Sequence, residues 1–511
     1  MSINKGMARG IAWMSGARFA VKALGLVSTL VLVRLLDPRD FGIIAMGSVL
    51  IAFATVVRAF NFDSALIHEA EIRREDYDTA WTLNVLLGVA IGMLLAAAAP
   101  AVALFYADPR ITGVLLVLAV GFAVEGFVNT GVVQFRKEMN FRVDFQLMVL
   151  QKLVGFVATL ILAVLLRNYW ALALGTLINS CAGVGLSYVL HPFRPRFSLA
   201  ARERLLGFSK WLLLSNLIGF LRDRTPYILL GKLDGPVGAG TFSVAYETAN
   251  LATSEVVAPI NRAVLPGYVK LAENPEELRA GFSVILGFIT LVALPAALGI
   301  GAVSDHLVAV LLGPKWLSTA RLIEVLAIAA ALNVMLTNSA PLLVAVGKPK
   351  LVTALSVTHG VALLPVLVVG ILKFGAPGAA WGYLLHAALV VVPTTFGFIV
   401  FGTAVRLKDI GGAVWRPVTA GVVMYCAVRA VENVLPWSSG ITQIVSLGAS
   451  VLSGAAIYVT GVLALWRLSG SPAGAEAIIM SYARAGIRRL PQLLAATAGG
   501  APLRYRKSDK T

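Results

Sequence analysis

The sequence predicts an all-α integral membrane protein of about fourteen transmembrane helices, built as two six-helix halves with two extra C-terminal helices. Three observations predict it. Hydrophobic residues make up 58% of the 511 and charged residues 14%, with a mean hydropathy of +0.83, whereas soluble chains carry about 25% charge. Apolar runs long enough to cross a bilayer as helices, about 20 residues each, recur along most of the chain. Basic residues are abundant in alternate segments between those runs. Such a chain faces lipid, which excludes a water-soluble enzyme, a secreted disulfide scaffold, a DNA-binding module and a disordered chain.

The runs are 11–33, 41–62, 80–104, 111–134, 143–166, 169–190, 205–230, 237–266, 280–302, 318–345, 351–372, 377–401, 414–431 and 441–466. Asp37-Pro38, Asp108-Pro109, Gly313-Pro314 and Gly347-Lys348-Pro349 mark turns between them, because Pro and Gly interrupt helices. The first run is too long for a cleavable signal peptide, contains Arg18 and Lys22, and lacks a small-residue cleavage site.

Lys and Arg number 43 against 26 acids, a net charge of +17. Nucleic-acid binders gather such charge on one hydrated face; here it is scattered through short segments, so nucleic acid is not an expected partner. With the N-terminus in the cytoplasm, the cytoplasmic segments hold 25 basic residues and the opposite side 7. This positive-inside split places both termini in the cytoplasm. Cys181 and Cys426 lie within apolar runs, with no CxxC or zinc spacing, and read as small buried residues.

An internal repeat is visible. Trp13, Leu36-Asp37-Pro38 and Gly42 recur as Trp211, Leu233-Asp234-Gly235-Pro236 and Gly240, with Trp, Pro and the final Gly displaced by 198 residues. The repeat divides the chain into halves 1–204 and 205–404, two additional helices in 405–467 and a basic cytoplasmic tail, 468–511. Parallel six-helix repeats place a substrate path between them. Within the tail, Ile478, Tyr482, Arg484, Ile487 and Arg488 suit either an amphipathic segment on an anionic leaflet or a disordered end.

Eleven basic and six acidic residues fall inside the runs. Lys210, Arg321, Arg416, Arg429 and Asp144 lie near run ends and are expected to snorkel to the interface. The deeper charges are functional candidates, since a mid-membrane ion costs at least about 2.5–3.5 kcal/mol. Arg18, Lys22, Gly25 and Thr29 share one helical stripe, as do Lys152, Gly155 and Thr159. Arg58 stands beside Asn61. Asn216, Arg222 and Asp223 line one side of run 205–230, with Arg224 adjacent. Glu247, Asn250 and Asn261 line run 237–266, where Pro259 is expected to kink the helix next to Arg262.

The excess of cations points to a cationic cavity for an anion; the alternative for each residue is an interhelical ion pair, such as Arg222 or Arg224 with Glu247. Arginine suits a phosphate through bidentate hydrogen bonds. Candidate anion-binding residues are Arg18, Lys22, Arg58, Lys152, Arg222, Arg224 and Arg262. Asn61, Asn216 and Asn250 are candidates for sugar hydroxyls. Glu125, Asp223, Glu247 and Glu255 are candidates for ion coupling, since desolvated carboxylates take up protons. Walker A, HExxH, GxSxG and GxGxxG patterns are absent, and no cofactor or metal is expected beyond a coupling H+ or Na+. Asp76-Tyr77-Asp78 matches the DxD pattern of glycosyltransferases, but its short loop reads as a solvated charged segment.

Several segments resemble Wzx-type polysaccharide flippases of the MOP exporter superfamily, in the branch exporting colanic-acid-like and succinoglycan-like polymers. They are Leu35-Leu36-Asp37-Pro38-Arg39-Asp40-Phe41-Gly42, Phe60-Asn61-Phe62-Asp63-Ser64-Ala65-Leu66-Ile67, Gly240-Thr241-Phe242-Ser243-Val244-Ala245-Tyr246, Pro259-Ile260-Asn261-Arg262-Ala263-Val264-Leu265-Pro266 and Gly375-Ala376-Pro377-Gly378-Ala379-Ala380-Trp381-Gly382. The likeness runs from about residue 5 to 467. It implies a bacterial inner-membrane protein that flips an undecaprenyl-diphosphate-linked oligosaccharide for exopolysaccharide or lipopolysaccharide synthesis, by alternating access around a V-shaped central cavity. Lys22 and Arg58 match cavity-facing basic positions of related lipid II flippases. Its expected partners are the lipid-linked substrate, membrane lipids and other polysaccharide assembly proteins.

Two alternatives fit the sequence less well. A MATE-like drug or cation antiporter calls for an acidic, aromatic site, whereas this interior is net basic. An integral-membrane polymerase or ligase, an enzyme, calls for a large outer loop, and the longest here is about 15 residues, 303–317.

Overall fold

The computed structural model describes residues 3–58, 73–137, 141–201, 220, 224–251, 253, 257–434, 441–472 and 474–481. Among them every regular element is a helix, and eight helical stretches are long and apolar enough to span a bilayer. Large apolar side chains point outward along them: Leu104 is 80% exposed, Val189 80% and Phe401 94%. Patches of this extent are stable only against hydrocarbon, so the chain is a multi-pass membrane protein.

The chain packs as two compact units. One comprises Met1–Ala249, Ser304–Leu326 and Thr353–Val390; the other comprises Asn250–Val303, Ala327–Val352 and Val391–Thr511.

In the first unit α1 (Ile3–Leu35), α2 (Pro38–Arg58), α3 (Arg74–Tyr106), α4 (Arg110–Glu125), α5 (Phe141–Leu166) and α6 (Trp170–Leu190) follow one another. Helix α7 occupies residues 224–233, and α8 is Gly235–Ala249. Small residues set the close approaches. Gly88 and Gly92 of α3 meet the α4 backbone, and Gly175 of α6 receives Thr159 of α5. The Gly155–Thr159 face therefore packs on α6, at Asn179 and Gly175, rather than lining a path.

The second unit holds α9 (Ala258–Leu271), α10 (Pro275–Ala302), α12 (Ser339–Ala345), α14 (Val392–Gly402), α15 (Leu407–Val434) and α16 (Ile441–Leu468). Helices α11 (Ser318–Val334) and α13 (Pro349–His386) run from one unit into the other.

Several sequence expectations change. Run 111–134 stops at Glu125; Asn129, fully buried, turns the chain by donating its amide to the Phe193 carbonyl at 2.8 Å. Run 237–266 breaks after Ala249, so Pro259 sits in the first turn of α9 instead of kinking one helix. There the missing N–H costs nothing. As the separation of runs 351–372 and 377–401 requires, α13 reverses between them, at Gly375, whose φ of 62° and ψ of −140° suit glycine. Gly370 and Gly378 then touch across the reversal, and Asp234 Oδ2 accepts the Ala376 N–H at 2.7 Å.

Neither Asp76 nor Asp78 is solvated. Asp76 caps α3 through the Arg73 N–H at 2.8 Å, and Asp78 accepts the Arg196 N–H at 2.8 Å. Both are buried; Asp76 closes the N-terminus of α3, and Asp78 fastens segment 191–201 to it. That accounts for the DxD pattern without a nucleotide. Arg416 does not snorkel: it is buried and paired at 2.7 Å with buried Glu476, which docks the start of the C-terminal tail on α15. Asp144 is also buried within the protein rather than reaching out to water. Cys181 and Cys426 are exposed, on lipid-facing helix surfaces, not buried.

Candidate functional site

Among the described residues, the site builds around the C-terminal end of α2. Arg58 is the last residue of that helix, and its Nη1 lies 3.3 Å from Glu125 Oε2 at the end of α4. Its guanidinium carbon stands 4.8 Å from the centroid of Phe122, one turn earlier on α4. Ser180 of α6 donates to Glu125 Oε1 at 2.9 Å. Three helices thus converge on one cation.

The Arg58 contact is electrostatic only: Nη1 is buried and has no hydrogen-bond acceptor. A guanidinium offers five N–H donors, so this one retains capacity to grip an oxyanion while its ring contact holds it in place.

A second pair of cations lies between α1 and α5. The Lys152 stem passes beside Gly25, 3.9 Å from where a side chain would begin. Lys22, exposed and one turn earlier on α1, shares that face. Thr29 turns its hydroxyl to the Gly25 carbonyl at 3.1 Å and so contributes no free donor.

Further along the first unit, Arg224 stands 5.7 Å from the Tyr227 ring and is the electrostatic neighbour of Glu247. This is the ion-pair alternative raised for that residue. Tyr227 in turn packs in one ring cluster with Phe242, Tyr246 and Tyr383, with Phe242 and Tyr246 centroids 6.0 Å apart. Asn250 occupies the turn after α8, half-buried.

Asn61, Asn216, Arg222, Asp223 and Glu255 lie outside the described residues, and Arg18 and Arg262 are placed only by their helix backbone, on α1 and α9. The structure brings Arg58 and Glu125 together. It also sets Lys152 beside Gly25 of α1, three residues from Lys22, and Arg224 within electrostatic reach of Glu247.

Sequence reasoning missed Phe122, Ser180 and the aromatic group. The i, i+3 spacing of Phe122 and Glu125 was a legible signal for the first. Nothing local marks Ser180, which is 55 residues from its acceptor.

The family described as polysaccharide biosynthesis protein matches residues 31–321. The lipopolysaccharide biosynthesis protein WzxC of Escherichia coli (strain K12) is 26% identical, covering 82% of this chain and 86% of its own. The succinoglycan biosynthesis transport protein ExoT of Rhizobium meliloti (strain 1021) is 20% identical, over 67% of this chain and 70% of its own. Among solved structures, a lipid II flippase, MurJ, in an inward closed conformation superposes with a TM-score of 0.66 at 12% identity, covering 89% of this chain and 99% of that one. The chain therefore shares the multi-helix membrane fold of that structure.

Proposed function

This chain belongs to the polysaccharide biosynthesis protein family, and from that premise we propose that it flips an undecaprenyl-diphosphate-linked oligosaccharide repeat unit across the bacterial inner membrane. It is a transporter, not an enzyme. The observation that carries this reading is the family match, extended by WzxC over most of both chains. The lipid-facing helical fold supports it.

In this reading the two repeats, 1–204 and 205–404, alternate access around a central path, with helices 405–467 and the tail appended. Both termini are cytoplasmic, as the basic split implies. Arg58, Lys22 and Lys152 hold the diphosphate, joined by Arg18, Arg222, Arg224 and Arg262, while the prenyl chain stays in lipid. Asn61, Asn216 and Asn250 contact sugar hydroxyls. In the same reading Glu125, which contacts Arg58 and Ser180, exchanges a coupling H+ or Na+ as Arg58 engages phosphate; Asp223, Glu247 and Glu255 are further coupling candidates. The other polysaccharide assembly proteins are its expected partners.

The test is deletion of the gene followed by lipid analysis. A lipid-linked glycan accumulating on the cytoplasmic face, with loss of one surface polysaccharide, is expected. Unchanged polysaccharide and lipid pools would remove the reading.

A further inference from the structure

The turn between α12 and α13 takes no part in the site above. Gly347 turns the chain there with a φ of 74°, a conformation suited to glycine. Lys348 and Lys350 follow, both exposed, on either side of the Pro349 that begins α13. Gly402, at the end of α14, lets this turn pack closely. A Cβ on it would come within 2.7 Å of Leu351 on α13 and 3.1 Å of Leu343 on α12. All of these residues belong to the second unit.

A groove of about 860 Å³ opens outward from that corner. Leu351, Phe398 and Phe401 wall it, Lys348 and Lys350 stand at its mouth, and no acid is among its lining residues. From Gly402 to Thr394 it follows α14 for about 12 Å. Gly397 keeps it open: beyond its own helix backbone, nothing lies within 4 Å of where a side chain would begin. Phe401 is 94% exposed. Such walls are stable against hydrocarbon, not water, so the occupant of the groove is an apolar chain. In the orientation proposed above, this end faces the cytoplasm, and Lys348, Lys350, Arg406 and Lys408 gather there. The neighbouring Asp409 is already engaged by Arg279 at 3.0 Å.

We propose that this groove binds one anionic phospholipid of the cytoplasmic leaflet. An acyl chain lies along Gly397 and Phe398, and the headgroup phosphate meets Lys348 and Lys350. The start of α13 adds the positive end of its helix dipole at the same place. Basic pockets between helices on the cytoplasmic side select anionic headgroups, whereas the ammonium of a zwitterionic lipid would meet like charge here. The Arg58 and Lys152 groups belong to the other unit, so this site stands independently of the transport reading.

The test uses the purified full chain in phosphatidylcholine nanodiscs holding a trace of phospholipid with a diazirine in one acyl chain. Illumination attaches the probe, and peptide mapping locates it; at trace occupancy, labelling follows affinity. A phosphatidylglycerol probe is expected to label segment 394–402 roughly 30-fold more than a phosphatidylcholine probe of the same chain, the preference that a pair of lysines supplies. Lys348→Gln with Lys350→Gln should abolish the preference, and either single should leave it roughly fivefold. Lys348→Arg with Lys350→Arg keeps both charges and should label like the parent. Gly397→Leu retains the lysines but fills the groove, and leucine favours the helix; labelling should fall to the zwitterionic level. Equal labelling by the two probes, or parental labelling in the double Gln or Gly397→Leu variant, would overturn the site. So would displacement of the probe by an equimolar polyprenyl phosphate, which would make the groove part of the cargo path. Displacement by inorganic phosphate would overturn it too, because the acyl chain would then play no part.

Discussion

Replacing Arg58 by alanine separates a ligand-binding cation from a structural counter-ion, because the two roles differ in magnitude. The Arg58–Glu125 pair is partly wet, with side chains 28% and 37% exposed and a single 3.3 Å approach. Pairs of that kind contribute about 1 kcal/mol or less to stability. A charge-assisted contact to a phosphate is worth about 1.5–3 kcal/mol. At about 1.4 kcal/mol per factor of ten, that is roughly a 10- to 150-fold loss in transport. The expected result for Arg58→Ala is a fall in export of at least tenfold, with protein level and thermal midpoint in detergent nearly unchanged. Arg58→Lys, which keeps charge but loses the planar fork, should fall between. The assay is complementation of a flippase-deficient strain, scored by surface polysaccharide and by accumulated lipid-linked precursor. Removing the partner as well decides the matter. If Arg58→Ala with Glu125→Ala regains full export, Arg58 serves only to neutralise Glu125, and the diphosphate assignment is wrong.

Other perturbations test the fold that carries the site. Arg416→Ala leaves Glu476 buried without its cation, with side chains only 8% and 5% exposed, and should cost about 3–5 kcal/mol. A chain ending at residue 470 should show a comparable drop in thermal midpoint. Gly375→Ala imposes a Cβ on a backbone that L residues avoid and brings it within 2.8 Å of Asp234. It should destabilise by about 1–3 kcal/mol, read as an earlier thermal unfolding midpoint. At the loop end of α15, the Arg279 guanidinium beside Asp409, 3.0 Å away, holds that carboxyl below its ordinary pKa. A depressed carboxylate adds stability that is present above the unfolded pKa, about 3.9, and disappears as pH falls through the lower folded value. Asp409→Asn should therefore flatten the part of the midpoint-versus-pH curve lying below about pH 4.

The lipid-facing class, the helical content and the turns at Gly313, Gly347 and Gly375 follow from local chemistry. Long apolar runs have only one economical way to satisfy their backbone in hydrocarbon, and positive-φ glycines punctuate them. Family membership was legible for the same reason: the quoted segments are contiguous in the chain. What misled was the treatment of each charge by its position along a run. Position along the chain cannot reveal that Asp78 fastens segment 191–201, or that Arg416 meets an acid 60 residues away.

The sequence by itself determined that this is a basic, multi-helix membrane protein with a repeat displaced by 198 residues. Those are properties of composition and periodicity, which each segment carries independently of its neighbours. Only the tertiary structure decided which cations meet acids, which meet helix ends and which stand open. A charge in a membrane is defined by what lies across the helix–helix contact, and those partners come from parts of the chain that no window of sequence spans.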